Sequence, residues 1–185
     1  MRSSGVAVLI ALGTLSSLGG GLLGPVYPIF LVNRLSASLV DVGALTAIFG
    51  LVAALLKVPA GRLVDQWGKE RVYCLGISMA AACSLSYIFV SALPHLYIIE
   101  TLYGIAYAFQ GPALLAITME MSERGRRGFL LGTFESFYDI SASVAALVAV
   151  IIVSRFGFEW LFAMCSGCQA SAGLFVVRFG RSRSA

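Results

Sequence analysis

Residues 61–71 read Gly61-Arg62-Leu63-Val64-Asp65-Gln66-Trp67-Gly68-Lys69-Glu70-Arg71. Five of these eleven residues are charged, and the stretch is bracketed by glycines. It separates an apolar run over about 40–58 from another over about 72–93. A charged turn between two runs of that length is the pattern of two membrane spans joined in water, since a span needs about 20 mostly apolar residues.

The rest of the chain repeats the pattern. Further apolar stretches run over about 6–30, 96–118, 129–153 and 160–177, which makes six predicted spans in one transmembrane domain over 1–185. The 185 residues are 59% hydrophobic and 12% charged, with a mean hydropathy of +0.91. A soluble domain carries about twice that charged share. The expected fold is therefore an all-α bundle of six membrane helices with short connections. The N-terminal run has the basic flank of a secretory signal, but it stays uncharged from Arg2 to Arg34 and shows no clear small-residue cleavage site. It reads as an uncleaved first span.

Lys and Arg segregate by side. Arg2, Arg62, Lys69, Arg71, Arg124, Arg126, Arg127, Arg178, Arg181 and Arg183 fall on one side, and Arg34 and Arg155 on the other. By the positive-inside rule the first side is cytoplasmic, with both termini on it, in a plasma (inner) membrane. The basic residues sit between apolar runs and nowhere interleave with aromatics, which excludes nucleic acid as a partner. Two basic turns about 60 residues apart suggest a three-helix unit used twice, and an odd helix count inverts the second copy.

The segment 61–71 resembles the signature between the second and third helices of the major facilitator superfamily. Gly61, Leu63, Asp65, Gly68 and Arg71 match it, and Lys69 keeps the usual charge, whereas Gln66 and Glu70 replace basic residues. The resemblance implies a transporter working by alternating access, with this segment (Gly61, Asp65, Gly68, Lys69, Arg71) latching one half to the other. Physically, Gly61 and Gly68 allow a tight turn and close helix approach, and Asp65 is placed to meet backbone N–H groups or Arg71. The turn around Glu120, Glu123, Arg124, Arg126, Arg127 and Gly128 is similar to the family's 4–5 loop, and Gly157-Phe158-Glu159-Trp160 to its sixth-helix start. Glu100 stands where a family motif in the fourth helix has an Arg, and the fifth span lacks the Gly-Pro of proton antiporters, so drug–proton antiport gains no support. Family members usually have twelve helices. The resemblance thus implies half of a major facilitator fold: a half-size transporter acting as a homodimer or with a second six-helix half, or a fragment of a twelve-helix chain. A non-transporting accessory subunit is the alternative.

Ionisable residues inside spans are costly and mark functional candidates. Glu135 and Asp139 lie one helical turn apart in the fifth span, with Ser143 continuing the stripe. Asp139 is twelve residues past Arg127, about 18 Å of rise, near the bilayer middle. Two close carboxylates in low dielectric do not both ionise easily, so the pair is a candidate for proton coupling or cation binding. The competing reading is a hydrated cavity or an ion pair with Lys57, itself placed to snorkel. Glu100 is expected either to line a cavity with Tyr103 and Tyr107 or to snorkel. Gly19-Gly20-Gly21, Gly24-Pro25 and Pro28 should interrupt the first helix, and Gly111-Pro112 should kink the fourth, with Gln110 as a polar contact.

Enzyme chemistry is not expected. Tyr138-Asp139 resembles one motif of intramembrane aspartyl proteases, but the second Gly-x-Gly-Asp is absent, and His95 has no nucleophile motif near it. Cys165-x-x-Cys168 sits in an apolar run with Cys74 and Cys83 in others, which points to packing, not to a metal or cofactor site. The partners implied are the lipid bilayer, a small-molecule solute and a second six-helix unit. The cargo itself is not encoded in the fold.

Overall fold

A computed structural model describes residues 3–120 and 127–184, with side chains from Ile10 to Glu120 and from Arg127 to Arg178. Glu123, Arg124 and Arg126 of the 4–5 turn and Arg2 lie outside the described residues, as do the side chains of Arg181 and Arg183. Seven α-helices follow in order: α1 Ser3–Leu23, α2 Tyr27–Leu35, α3 Leu39–Trp67, α4 Lys69–Ser86, α5 Leu93–Glu120, α6 Arg127–Phe156 and α7 Phe158–Ser184. Together α1 and α2 form one broken span, so among the described residues six helices are long and apolar enough to cross a membrane.

Local chemistry sets the breaks. The turn at 24–26 follows Gly24-Pro25, and α2 then starts with Pro28 in its first positions, where a missing N–H costs nothing. Ser38 and Asp41 form a reciprocal capping box that opens α3. The charged stretch 61–71 is not a loop. Helix α3 carries on through Pro59 to Trp67, and the chain turns at Gly68 alone, where φ is +91°. An L side chain rarely adopts that angle. Gly157 makes the same one-residue turn between α6 and α7, again at φ +91°.

The helices pack as two interlocked threes. The broken first span lies against α6 and α7, and α5 lies against α3 and α4, while α4 meets α7 between them. Exchanging the first three spans for the last three turns the first-span contacts into those of α5 and maps the α4–α7 contact onto itself, which is the signature of two inverted three-helix repeats. Glycines allow the tight crossings. A Cβ on Gly21 would stand 2.7 Å from Ala142 Cα, and one on Gly104 would stand 2.8 Å from the Phe49 carbonyl oxygen. The paired helices α3 and α6 remain on the outside: only 11% and 17% of their apolar windows are buried, against 50% for α4.

The core has two apolar clusters. One gathers Phe30, Tyr87, Leu96 and Phe162, with the Phe30 and Phe162 rings edge to face at 4.9 Å. The other, nearer the basic end, gathers Leu12, Tyr73, Ile77 and Val176. Between them along the helices lie Ser16, Gln110 and Gln169, and there the bundle opens.

Candidate functional site

A cavity of about 390 Å³ lies where the two repeats face each other. Its walls come from both parts of the first span and from α3, α4, α5, α6 and α7. Gly20 and Gly24 lower the wall on the first span, and a Cβ on Gly20 would meet nothing within 4 Å. The three successive glycines of α1 thus do different jobs. Gly19 takes the Gln169 side chain, Gly21 takes the α6 backbone, and Gly20 leaves open space.

Aromatic rings dominate the lining: Tyr27, Phe49, Tyr87, Tyr103, Tyr107 and Tyr138. Their spacing is close, with centroids 5.6 Å apart for Tyr27 and Tyr87 and 5.5 Å for Phe49 and Tyr107. Among these rings sits one carboxyl group, that of Glu100, only 5% exposed. The Tyr87 hydroxyl donates to its Oε1 at 2.6 Å. The Tyr27 hydroxyl is buried close to the same group without reaching hydrogen-bond geometry. Among the described residues no Lys or Arg pairs with Glu100.

The floor of the cavity is fixed by a relay. Ser84 Oγ donates to Gln169 Oε1 at 3.0 Å, and Gln169 Nε2 donates to the Tyr103 hydroxyl at 2.7 Å. Three helices are tied by that chain, which leaves each buried polar group satisfied. Gln110 Nε2 donates to the carbonyls of Gly76 and Ala106 at 3.2 and 3.3 Å, and Ser16 and Tyr73 share a hydroxyl bond of 2.6 Å. A buried carboxyl without a cation must hold a proton or gain a positive partner. Ring faces carry negative quadrupole and attract cations. The arrangement can therefore hold a proton or meet an organic cation.

The residues singled out from sequence separate into three places. Glu100 lines the cavity with Tyr103 and Tyr107. Glu135, Asp139 and Ser143 are exposed on α6 and do not line the cavity, and neither acid forms an ion pair among the described residues. Lys57 is also exposed, and its ammonium lies 5.4 Å over the Tyr107 ring, away from those acids' salt-bridge range. At the basic end, Lys69 pairs with Glu120, bringing together two residues read as separate motifs. Gly61 sits within α3 facing open space, so the close approach it permits is not to this chain's described residues. Asp65 does not pair with Arg71, because α3 continues past it and points it outward from the last helical turn. Arg71 and Arg127 are exposed. Tyr27, Tyr87, Ser84 and Gln169 were not singled out, although a Gln in an apolar run is a signal that could have found one of them.

Comparison with known proteins follows the same line. A family model described as Major Facilitator Superfamily matches residues 9–184. An uncharacterized MFS-type transporter of Methanocaldococcus jannaschii is 25% identical over 148 residues, covering 80% of this chain and 38% of the relative. The uncharacterized MFS-type transporter YitZ of Bacillus subtilis is 24% identical over 157 residues, covering 84% of this chain and 94% of that shorter relative. A tetracenomycin C resistance and export protein of Streptomyces glaucescens is 23% identical over 128 residues, covering 69% of this chain and 24% of the relative. The chain thus matches well under half the length of the archaeal and streptomycete relatives.

Proposed function

The chain belongs to the major facilitator superfamily, and from that premise we propose that it is one half of a secondary transporter moving a small organic cation by alternating access. A second six-helix unit completes the path. The observation that carries the reading is Glu100, a carboxyl group buried in an aromatic cavity and paired with no Lys or Arg among the described residues. A proton and a cationic solute would compete for this group, which couples the two. The streptomycete relative, named for resistance and export, agrees with an organic cargo.

The remaining assignments follow from this. The basic end is cytoplasmic, with both termini there, in the plasma membrane. Gly61, Asp65, Gly68, Lys69 and Arg71 latch the second unit, and the outward-pointing Asp65 supports that role. Glu120 and Arg127 flank the latch at the same end. Glu135 and Asp139 are not among the residues lining the cavity, so this reading assigns the coupling role to Glu100.

The test is equilibrium binding of tetraphenylphosphonium to purified protein in lipid nanodiscs, followed by uptake into proteoliposomes. The wild type should bind, and Glu100→Gln should lose at least tenfold in affinity while keeping its helical content. Binding should also weaken as pH falls and Glu100 takes a proton. Unchanged binding in Glu100→Gln would remove the cation reading. A wild type that binds and moves no solute would favour an accessory subunit.

A further inference from the structure

The outer helices α3 and α6 are equivalent under the internal symmetry, and both carry charge on a flank beside the cavity. On α3 it is Lys57, lying over Tyr107. On α6 it is Glu135 and Asp139, one turn apart on a stripe next to the cavity-lining Tyr138. All three are exposed, and none has an oppositely charged partner among the described residues. Such charges are expensive in lipid and call for partners.

Their depths match. Helix α3 ends at Trp67 and the described part of α6 starts at the basic residue Arg127, both at the basic end. Lys57 is ten residues from the first boundary, about 15 Å of helix rise. Glu135 and Asp139 are eight and twelve residues from the second, about 12 and 18 Å. The positive charge therefore falls at a level between the two negative ones.

The backbone near each charge is bare. Gly61 lies one turn from Lys57, and Gly132 lies just before Glu135. A Cβ on either would meet nothing within 4 Å, and the same holds for Gly50 and Gly128. Small residues on an open flank let a second helix approach closely in a membrane.

A two-fold axis along the membrane normal would set α3 of one copy against α6 of another, and would do so twice. An isologous interface needs one patch to complement itself in this way, and opposite charges at equal depth satisfy that need. We propose that the second six-helix unit is another copy of this chain, with Lys57 pairing with Glu135 and Asp139 of the partner copy at two symmetric seams. This rests on the transporter reading for its purpose, but not for its evidence.

The experiment is a charge exchange. Wild type, Lys57→Glu, and the double variant Glu135→Lys with Asp139→Lys are extracted with native lipid, and their assembly masses are measured. The wild type should be dimeric. Each variant alone faces like charges at both seams and should lose dimer at least tenfold. Co-expressed with different tags, the two variants should recover a mixed dimer, because both seams are then complementary; that recovery also shows that the variants fold. The milder Lys57→Gln should weaken the dimer less. A monomeric wild type, variants that stay dimeric alone, absence of the mixed dimer, or capture of a different six-helix chain in place of a second copy would each overturn the proposal. Failure of the transporter reading is distinguishable: a dimer that binds no tetraphenylphosphonium sinks the cation site alone, and a monomer that binds it sinks the seam alone.

Discussion

The Tyr87 hydroxyl donates to Glu100 Oε1 at 2.6 Å, joining the short turn after α4 to α5 at the wall of the cavity. Tyr27 approaches the same carboxyl group from the broken first span, yet its hydroxyl does not reach hydrogen-bond geometry. Two tyrosines beside one acid are thus in unlike situations. Removing the Tyr87 hydroxyl takes away a hydrogen bond to an acid, worth about 1.5–3 kcal/mol if the acid is charged. Removing the Tyr27 hydroxyl takes away a weaker contact with the same acid. Tyr87→Phe should lower unfolding stability in nanodiscs by about 0.5–1.5 kcal/mol with the acid protonated and more with it charged, and Tyr27→Phe should cost less. Equal losses would contradict the geometry.

The glycine run of α1 supports a second comparison. A Cβ at position 21 would press within 2.7 Å of the Ala142 backbone, which cannot swing away as a side chain can. At position 20 it would enter the cavity freely. Gly21→Ala should cost about 1–3 kcal/mol through overpacking. Gly20→Ala should leave thermal stability unchanged or raise it slightly, because Ala favours helix by up to about 1 kcal/mol. Its effect should appear instead in ligand binding, through a smaller cavity. Thermal unfolding and tetraphenylphosphonium binding measured on both variants separate the two roles.

Gln169 gives a third. Its amide receives Ser84 and serves Tyr103, and it is 3% exposed. Gln169→Leu strands two buried hydroxyls at once, at about 1–3 kcal/mol each. Ser84→Ala leaves only Gln169 Oε1 unpaired and should cost about 1–3 kcal/mol once. Denaturant unfolding should rank the two in that order. A Leu variant no weaker than the Ala variant would mean that the hydroxyls find other partners.

What could be read from residues alone follows a physical line. The membrane demands about 20 apolar residues per crossing, so six spans and their alternating charge were visible before any coordinates. Gly68 was legible as a turn because few other residues take φ +91°. The inward face of each helix was not legible. A membrane helix is apolar on every side, so periodicity does not mark which flank meets protein. Glu135 and Asp139 therefore looked as central as Glu100, and only packing of α6 against the first span turns them outward. The extent of α3 was hidden for a related reason: the charges from Arg62 onward end the apolar run, not the helix.

Two ion pairs among the described residues, one at each end of the bundle, give the last prediction. Lys69 at the start of α4 pairs with Glu120 at the end of α5, and Glu159 at the start of α7 pairs with Arg34 at the end of α2, at 2.9 Å. The repeats put these pairs in equivalent places with the signs exchanged. Side chains at the Arg34–Glu159 pair are 58% and 46% exposed, so its coupling should be about 0–1 kcal/mol. Exchanging them, Arg34→Glu with Glu159→Arg, should leave stability and transport near wild type. Exchanging Lys69→Glu with Glu120→Lys keeps the local attraction equally well, but it reverses the charge that the proposed latch presents to the second unit. If Lys69 is only half of a pair, transport should survive that exchange as it does at the other end. If Lys69 also serves the latch, transport should fall several-fold at unchanged stability. Proteoliposome uptake and thermal unfolding of the two exchanged proteins decide between them.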